Sequence, residues 1–98
     1  MTAIVIGLGS MGRRRIRLIR SLDNDIKVAG IDTDVNKRQR AEEEFGIETF
    51  ESIDSAYLQG VNAQMAFVST SPLSHSKIIS ECLKRGLHTF TEINLVDE

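Results

Sequence analysis

An apolar, β-branched run at the N-terminus, Ile4-Val5-Ile6, leads directly into Gly7-Leu8-Gly9-Ser10-Met11-Gly12. No other feature constrains the fold as strongly. Gly-x-Gly-x-x-Gly between a strand and a helix is the dinucleotide-binding fingerprint, and each glycine has a mechanical job. Gly7 permits a tight turn. Gly9 lets the backbone approach a pyrophosphate, and Gly12 lets the helix pack closely on the strand. The helix N-terminus then offers free N–H groups and the positive end of its dipole to an anion. Leu8, Ser10 and Met11 complete the loop and join the glycines as candidate contacts. Asp32 follows 20 residues after Gly12. A carboxylate there accepts hydrogen bonds from both hydroxyls of an adenine ribose and repels a 2′-phosphate, which favours NAD over NADP.

The rest of the chain alternates in type. Residues 3–7 read as a strand, followed by a helix after Gly12 with Ile16, Ile19 and Leu22 on one face. Lys27–Ile31 reads as a second strand with Asp32 at its C-terminal end. A helix from about Val35 to Phe45 stops at Gly46. Residues 48–50 make a short strand, 54–59 a short helix and 64–69 a fourth strand. A helix over 72–85 has Pro72 in its first turn and Gly86 as its stop, before a last strand over 88–91. This alternation predicts an α/β fold: a Rossmann-type, doubly wound parallel sheet forming a single domain over residues 1–98. Right-handed crossovers place Gly7, Asp32, Thr70 and Glu92 along one sheet edge, where such folds bind ligands.

Several residues carry two readings. Asp32 is a ribose acceptor or a helix N-cap, a role that Thr33 or Asp34 fills equally well. Thr33 is also a candidate contact beside Asp32. Lys37 and Arg38 either reach a 2′-phosphate or form the solvated face of the second helix. Arg13, Arg14, Arg15, Arg17 and Arg20 form a basic run, read as a solvated helix face from which Arg13 or Arg14 reaches the pyrophosphate. Ser69, Thr70 and Ser71 place hydroxyls near the nicotinamide end, and Ser71 before Pro72 also suits an N-cap. His75 falls in the first turn of the same helix. Cys82 reads as a packing residue.

Composition limits the partners. With 12 basic and 14 acidic residues the net charge is −2, which argues against nucleic acid and anionic membrane surfaces. No apolar run approaches the roughly 20 residues that span a bilayer. The N-terminus has no basic region ahead of an apolar one, so no signal peptide is expected. A single cysteine forms no internal disulfide and suits a reducing cytoplasm.

Thr70-Ser71-Pro72-Leu73-Ser74-His75 and Leu83-Lys84-Arg85-Gly86-Leu87-His88-Thr89-Phe90-Thr91-Glu92 extend the pattern. With them the whole chain resembles the N-terminal domain of the Gfo/Idh/MocA oxidoreductases. Gly7, Gly9, Gly12, Asp32, Thr70, His75, Gly86, His88 and Glu92 stand at the family's motif positions. The resemblance implies a nicotinamide dinucleotide cofactor, NAD before NADP. It also implies a small-molecule substrate of the sugar or cyclitol class, bound with the help of a C-terminal α+β domain. That domain is expected to be missing through truncation and to carry a homo-oligomer interface. The chain departs from the family at Glu92-Ile93-Asn94, where Glu-Lys-Pro is usual, so the family lysine's part in proton transfer does not carry over and no catalytic residue is assigned. A non-catalytic NAD(H)-sensing domain is the alternative reading.

Overall fold

The computed structural model describes residues 1–70 and 72–91, with the side chains of the last helix described from residue 76 onward. In chain order the elements are β1 (Thr2–Ile6), α1 (Ser10–Leu22), β2 (Lys27–Ile31), α2 (Val35–Phe45) and β3 (Glu48–Phe50). They continue with α3 (Ile53–Leu58), β4 (Met65–Val68), α4 (Pro72–Lys84) and β5 (His88–Thr91). All strand pairings are parallel, in the order β3-β2-β1-β4-β5. The chain therefore winds outward from β1 in one direction, returns, and winds outward in the other. The switch lies between β1 and β4, and in open α/β sheets the crevice outside such a switch is where ligands bind.

Alternation along the central strand builds two cores. Ile4 and Ile6 join Ala29, Ile31, Ala66 and Val68 on the face covered by α3 and α4, through Ile53, Ala56 and Cys82. Val5 and Val28 face the other way, onto Ile16 and Ile19 of α1 and Ala41 of α2. Ala3, Ile4 and Val5 have no exposed surface, as expected for a central parallel strand buried on both faces. Among the described residues, no helix is long and apolar enough to cross a membrane.

Boundaries differ from the sequence expectation by a residue or two, each for a local reason. Gly7 leaves β1 because its φ of +95° does not continue a strand. Helix α1 starts at Ser10, not after Gly12. Gly9 is its extended N-cap, and the Arg13 N–H already donates to the Gly9 carbonyl at 3.0 Å. Ser52 caps α3 by accepting from the Ser55 N–H, which starts that helix at Ile53. Strand β4 is shorter than expected, and α4 ends at Lys84.

The expected apolar face of α1 is corrected at one position. The buried stripe is Gly12, Ile16 and Ile19, while Leu22 is 77% exposed at the last helical residue, with no further turn to fold it onto the sheet. Ile16→Ala should therefore cost about 2–5 kcal/mol, the usual range for emptying a packed aliphatic site. Leu22→Ala should change stability by less than about 0.5 kcal/mol. Urea unfolding of the two variants checks the contrast.

Candidate functional site

The turn after β1 is built by what its glycines lack. Gly7 holds φ at +95°, and a Cβ there would lie 2.6 Å from the Ser69 carbonyl oxygen at the end of β4. A Cβ on Gly12 would lie 1.7 Å from the Gly7 carbonyl oxygen, so α1 crosses β1 at a distance no side chain permits. Gly9 differs from both, since nothing stands within 4 Å of where its Cβ would be. It is also the N-cap of α1, without a side chain to cap the helix and without an acidic residue in the first turn. The first-turn N–H groups of Ser10, Met11 and Gly12 thus lack helical partners, and open space stands where a Gly9 side chain would be.

Leu8 enters the loop differently from its neighbours. Its side chain is 1% exposed and packs over Gly30, where a Cβ would come within 3.0 Å of the Leu8 methyls. Its N–H donates to Asp32 Oδ2 at 2.8 Å. Leu8 is thus a core residue whose amide is already engaged. Asp32 Oδ1 accepts from the Asp34 N–H at 2.9 Å, so one carboxylate ties the β1–α1 loop to the β2–α2 loop. Asp32 is not the N-cap of α2: that is Asp34, which accepts from the Asn36 and Lys37 N–H groups.

The second-helix cations separate. Lys37 is exposed, as expected of a solvated face. Arg38 is half-buried, and its guanidinium donates to the Asp32 carbonyl at 2.8 Å. The solvated-face reading of Arg38 is therefore corrected: the arginine is anchored to the end of β2.

Thr33 joins Gly7, Asp32 and Thr70 around a cavity of about 260 Å³ at the C-terminal ends of the strands. Glu51, Ser52, Ile53, Ile78 and Glu81 also line it. Thr70 Oγ1 is buried there without a hydrogen-bond partner among the described residues, a polar atom of a kind that native proteins rarely leave unmatched. Ser69 donates its N–H to the Ile6 carbonyl at 2.8 Å and lines a second cavity of about 200 Å³ with Arg15, Phe67, Phe90 and Thr91. Ser71, the His75 side chain and Glu92 lie outside the described residues.

An anionic dinucleotide fits these features: space above Gly9, free amides at the α1 terminus, a carboxylate at the end of β2 and an unsatisfied hydroxyl at the end of β4.

The arginine run is less solvated than the sequence suggested. Arg13 Nε reaches back to the Gly9 carbonyl at 3.4 Å, and its guanidinium lies 3.9 Å from Glu44 of α2. Arg17 pairs with the same glutamate at 2.6 Å, and Arg17 and Arg20 lie over the Phe45 ring. Arg15 lies 5.8 Å from the centre of Phe67. Several of these side chains therefore bind α1 to its neighbours, while Arg14 is exposed.

Cys82 is fully buried in the α4 core, as a packing residue should be. Burial first, and Glu81 second, push its thiol above the ordinary value. A thiol reagent at pH 8 should label it only after denaturation, a difference mass spectrometry resolves.

The sequence reading missed Glu51, Ser52 and Glu81. A signal for Glu51 existed, since it follows β3 as Asp32 follows β2. Glu81 gave none, because its place in the wall depends on how α4 lies. Gly12→Ala should destabilise the domain by more than about 2 kcal/mol, since a backbone oxygen must move to admit the methyl. Thermal and chemical unfolding measure this.

A family model described as "Oxidoreductase family, NAD-binding Rossmann fold" (GFO_IDH_MocA) matches residues 1–93. Among solved structures, myo-inositol 2-dehydrogenase from Lactobacillus plantarum is 25% identical with a TM-score of 0.79, over 93% of this chain and 27% of its own. Scyllo-inositol dehydrogenase from Lactobacillus casei is 24% identical with a TM-score of 0.81, over 95% and 28%. The WlbA dehydrogenase from Bordetella pertussis, solved with NADH and UDP-GlcNAcA, is 23% identical with a TM-score of 0.81, over 92% and 27%. The chain thus spans little more than a quarter of the length of these proteins. No curated protein sequence matches.

Proposed function

This chain belongs to the Gfo/Idh/MocA oxidoreductase family, and from that premise we propose that it is the cofactor-binding part of a longer NAD-dependent dehydrogenase. The complete enzyme acts on a hydroxyl- or carbonyl-bearing carbon of a sugar, cyclitol or related substrate. The observation that carries the reading is the α1 N-terminus at Gly9, without a side-chain cap, with open space where a side chain would stand, and tied to Asp32 through the Leu8 amide.

The amides of Ser10, Met11 and Gly12 hold the pyrophosphate, whose negative charge the helix dipole favours. Gly9 contributes by leaving room. Asp32 takes the ribose hydroxyls with lone pairs not used by Leu8 and Asp34, and its charge selects NAD over NADP. Thr33 lines the ribose end, and Thr70 offers its unpartnered hydroxyl across the crevice. Ser69, Ser71, His75 and Glu92 complete the nicotinamide side. The nicotinamide supplies the hydride chemistry when bound, and the domain supplies binding and orientation. Ile93 has no proton to transfer, so the acid–base group of the complete enzyme stands elsewhere.

The likeness to myo-inositol 2-dehydrogenase supports a polyhydroxylated substrate. A second domain beyond these residues binds that substrate, and the 98-residue chain alone binds cofactor without turnover.

Calorimetric titration tests the proposal. NADH should bind more tightly than NADPH. Gly9→Val should abolish binding by filling the space above the loop. Asp32→Ala should weaken NADH by about 10- to 100-fold, the worth of hydrogen bonds to a charged acceptor. Undiminished NADH affinity in Gly9→Val would overturn the pyrophosphate assignment.

A further inference from the structure

We infer that Glu51 is a second selectivity residue of the cofactor site, acting against a 2′-phosphate beside Asp32. The inference rests on the NAD-binding reading above and adds a residue to it.

The register of the sheet places the two carboxylates together. Strands β2 and β3 are parallel, with Ile31 opposite Phe50 as their last pair. The Asp32 N–H donates to the Phe50 carbonyl at 3.1 Å, carrying the ladder one step further. Asp32 and Glu51 are therefore the first residues past the ends of two adjacent strands. Strands lie about 4.8 Å apart, and paired residues of a parallel sheet point to the same face. Both side chains line the same cavity of about 260 Å³.

Among the described residues three carboxylates border that cavity, and their charges are not equally available. Asp32 accepts two backbone N–H groups, which offset part of its field. Glu81 lies 3.5 Å from the Arg85 guanidinium. Glu51 has no hydrogen bond or ion pair among the described residues. Its charge is the least compensated of the three.

A counterweight makes that charge matter. Arg38 is anchored on the Asp32 carbonyl, which puts a fixed cation beside the ribose end of the site. A guanidinium so placed would attract a 2′-phosphate, which Asp32, its two oxygens each engaged by a backbone N–H, opposes only in part. Glu51 adds the missing repulsion. A ribose hydroxyl carries no charge and is indifferent to it. Glu51 should thus act on NADPH affinity and leave NADH affinity alone, whereas Asp32 touches both. Because Glu51 is exposed, water and salt screen it, and the effect is modest.

The test is calorimetric titration of the full 98-residue chain with NADH and NADPH, for wild type and Glu51→Gln. The substitution should tighten NADPH by about 3- to 5-fold and leave NADH within about 1.5-fold, in line with the upper part of the range for an exposed charge pair. The NADPH gain should shrink in 0.5 M NaCl, where the Debye length falls to a few Å. A thermal melt confirms that the variant is folded. Equal shifts for both cofactors, or an unmoved NADPH affinity in a variant that binds NADH normally, would overturn the assignment of Glu51 alone. Wild type that binds neither cofactor would overturn the NAD-binding reading itself, and this inference with it.

Discussion

The approach of Gly12 to the Gly7 carbonyl is the contact on which the rest of the molecule depends. A Cβ at Gly12 would lie 1.7 Å from that oxygen, so helix α1 sits lower on the sheet than any other residue would allow. From that height Ile16 and Ile19 reach Val5 and Val28 and close one of the two cores. The same placement brings the start of α1 to the strand ends, where its unpaired amides border open space above Gly9. Close packing and the position of the α1 N-terminus thus follow from one missing side chain.

Asp32 performs the corresponding task for the loops. Its carboxylate accepts from Leu8 on one side and Asp34 on the other, while Asp34 caps α2 and Arg38 donates to the Asp32 carbonyl. The loop after β1 and the loop after β2 are held before any ligand arrives. Preorganisation of this kind reduces the ordering that binding must otherwise achieve. Each oxygen of the Asp32 carboxylate already accepts one backbone N–H. Several charges meet at this edge, with Arg38 on one side and Asp32 and Glu51 on the other.

The arginines of α1 show how a charged run serves as structure. Arg13 and Arg17 converge on Glu44, and Arg17 and Arg20 cover Phe45, so α1 and α2 are joined across their polar faces. Long side chains of this type bury their stems and keep their charge in water. On the opposite flank Phe67 and Phe90 stack at 5.0 Å with Arg15 beside them.

Local spacing made much of this legible. Turn glycines, β-branched runs and helical periods are properties of neighbouring residues, and they located the nine elements of the described residues and the parallel architecture. The loop glycines and Asp32 were legible because a strained turn and a strand-end carboxylate each need a particular residue type. The exposure of Leu22, the anchoring of Arg38 and the pairing of α1 arginines with α2 were not legible, since each depends on how distant elements pack. The amino-acid sequence by itself determined which elements form and which residues end the strands. Only the tertiary structure decided that Glu51 stands beside Asp32, that Leu8 gives its amide to that aspartate, and that Thr70 is left without a partner. Those relations arise between segments far apart in the chain, and only hydrogen-bonded register and side-chain packing bring them together.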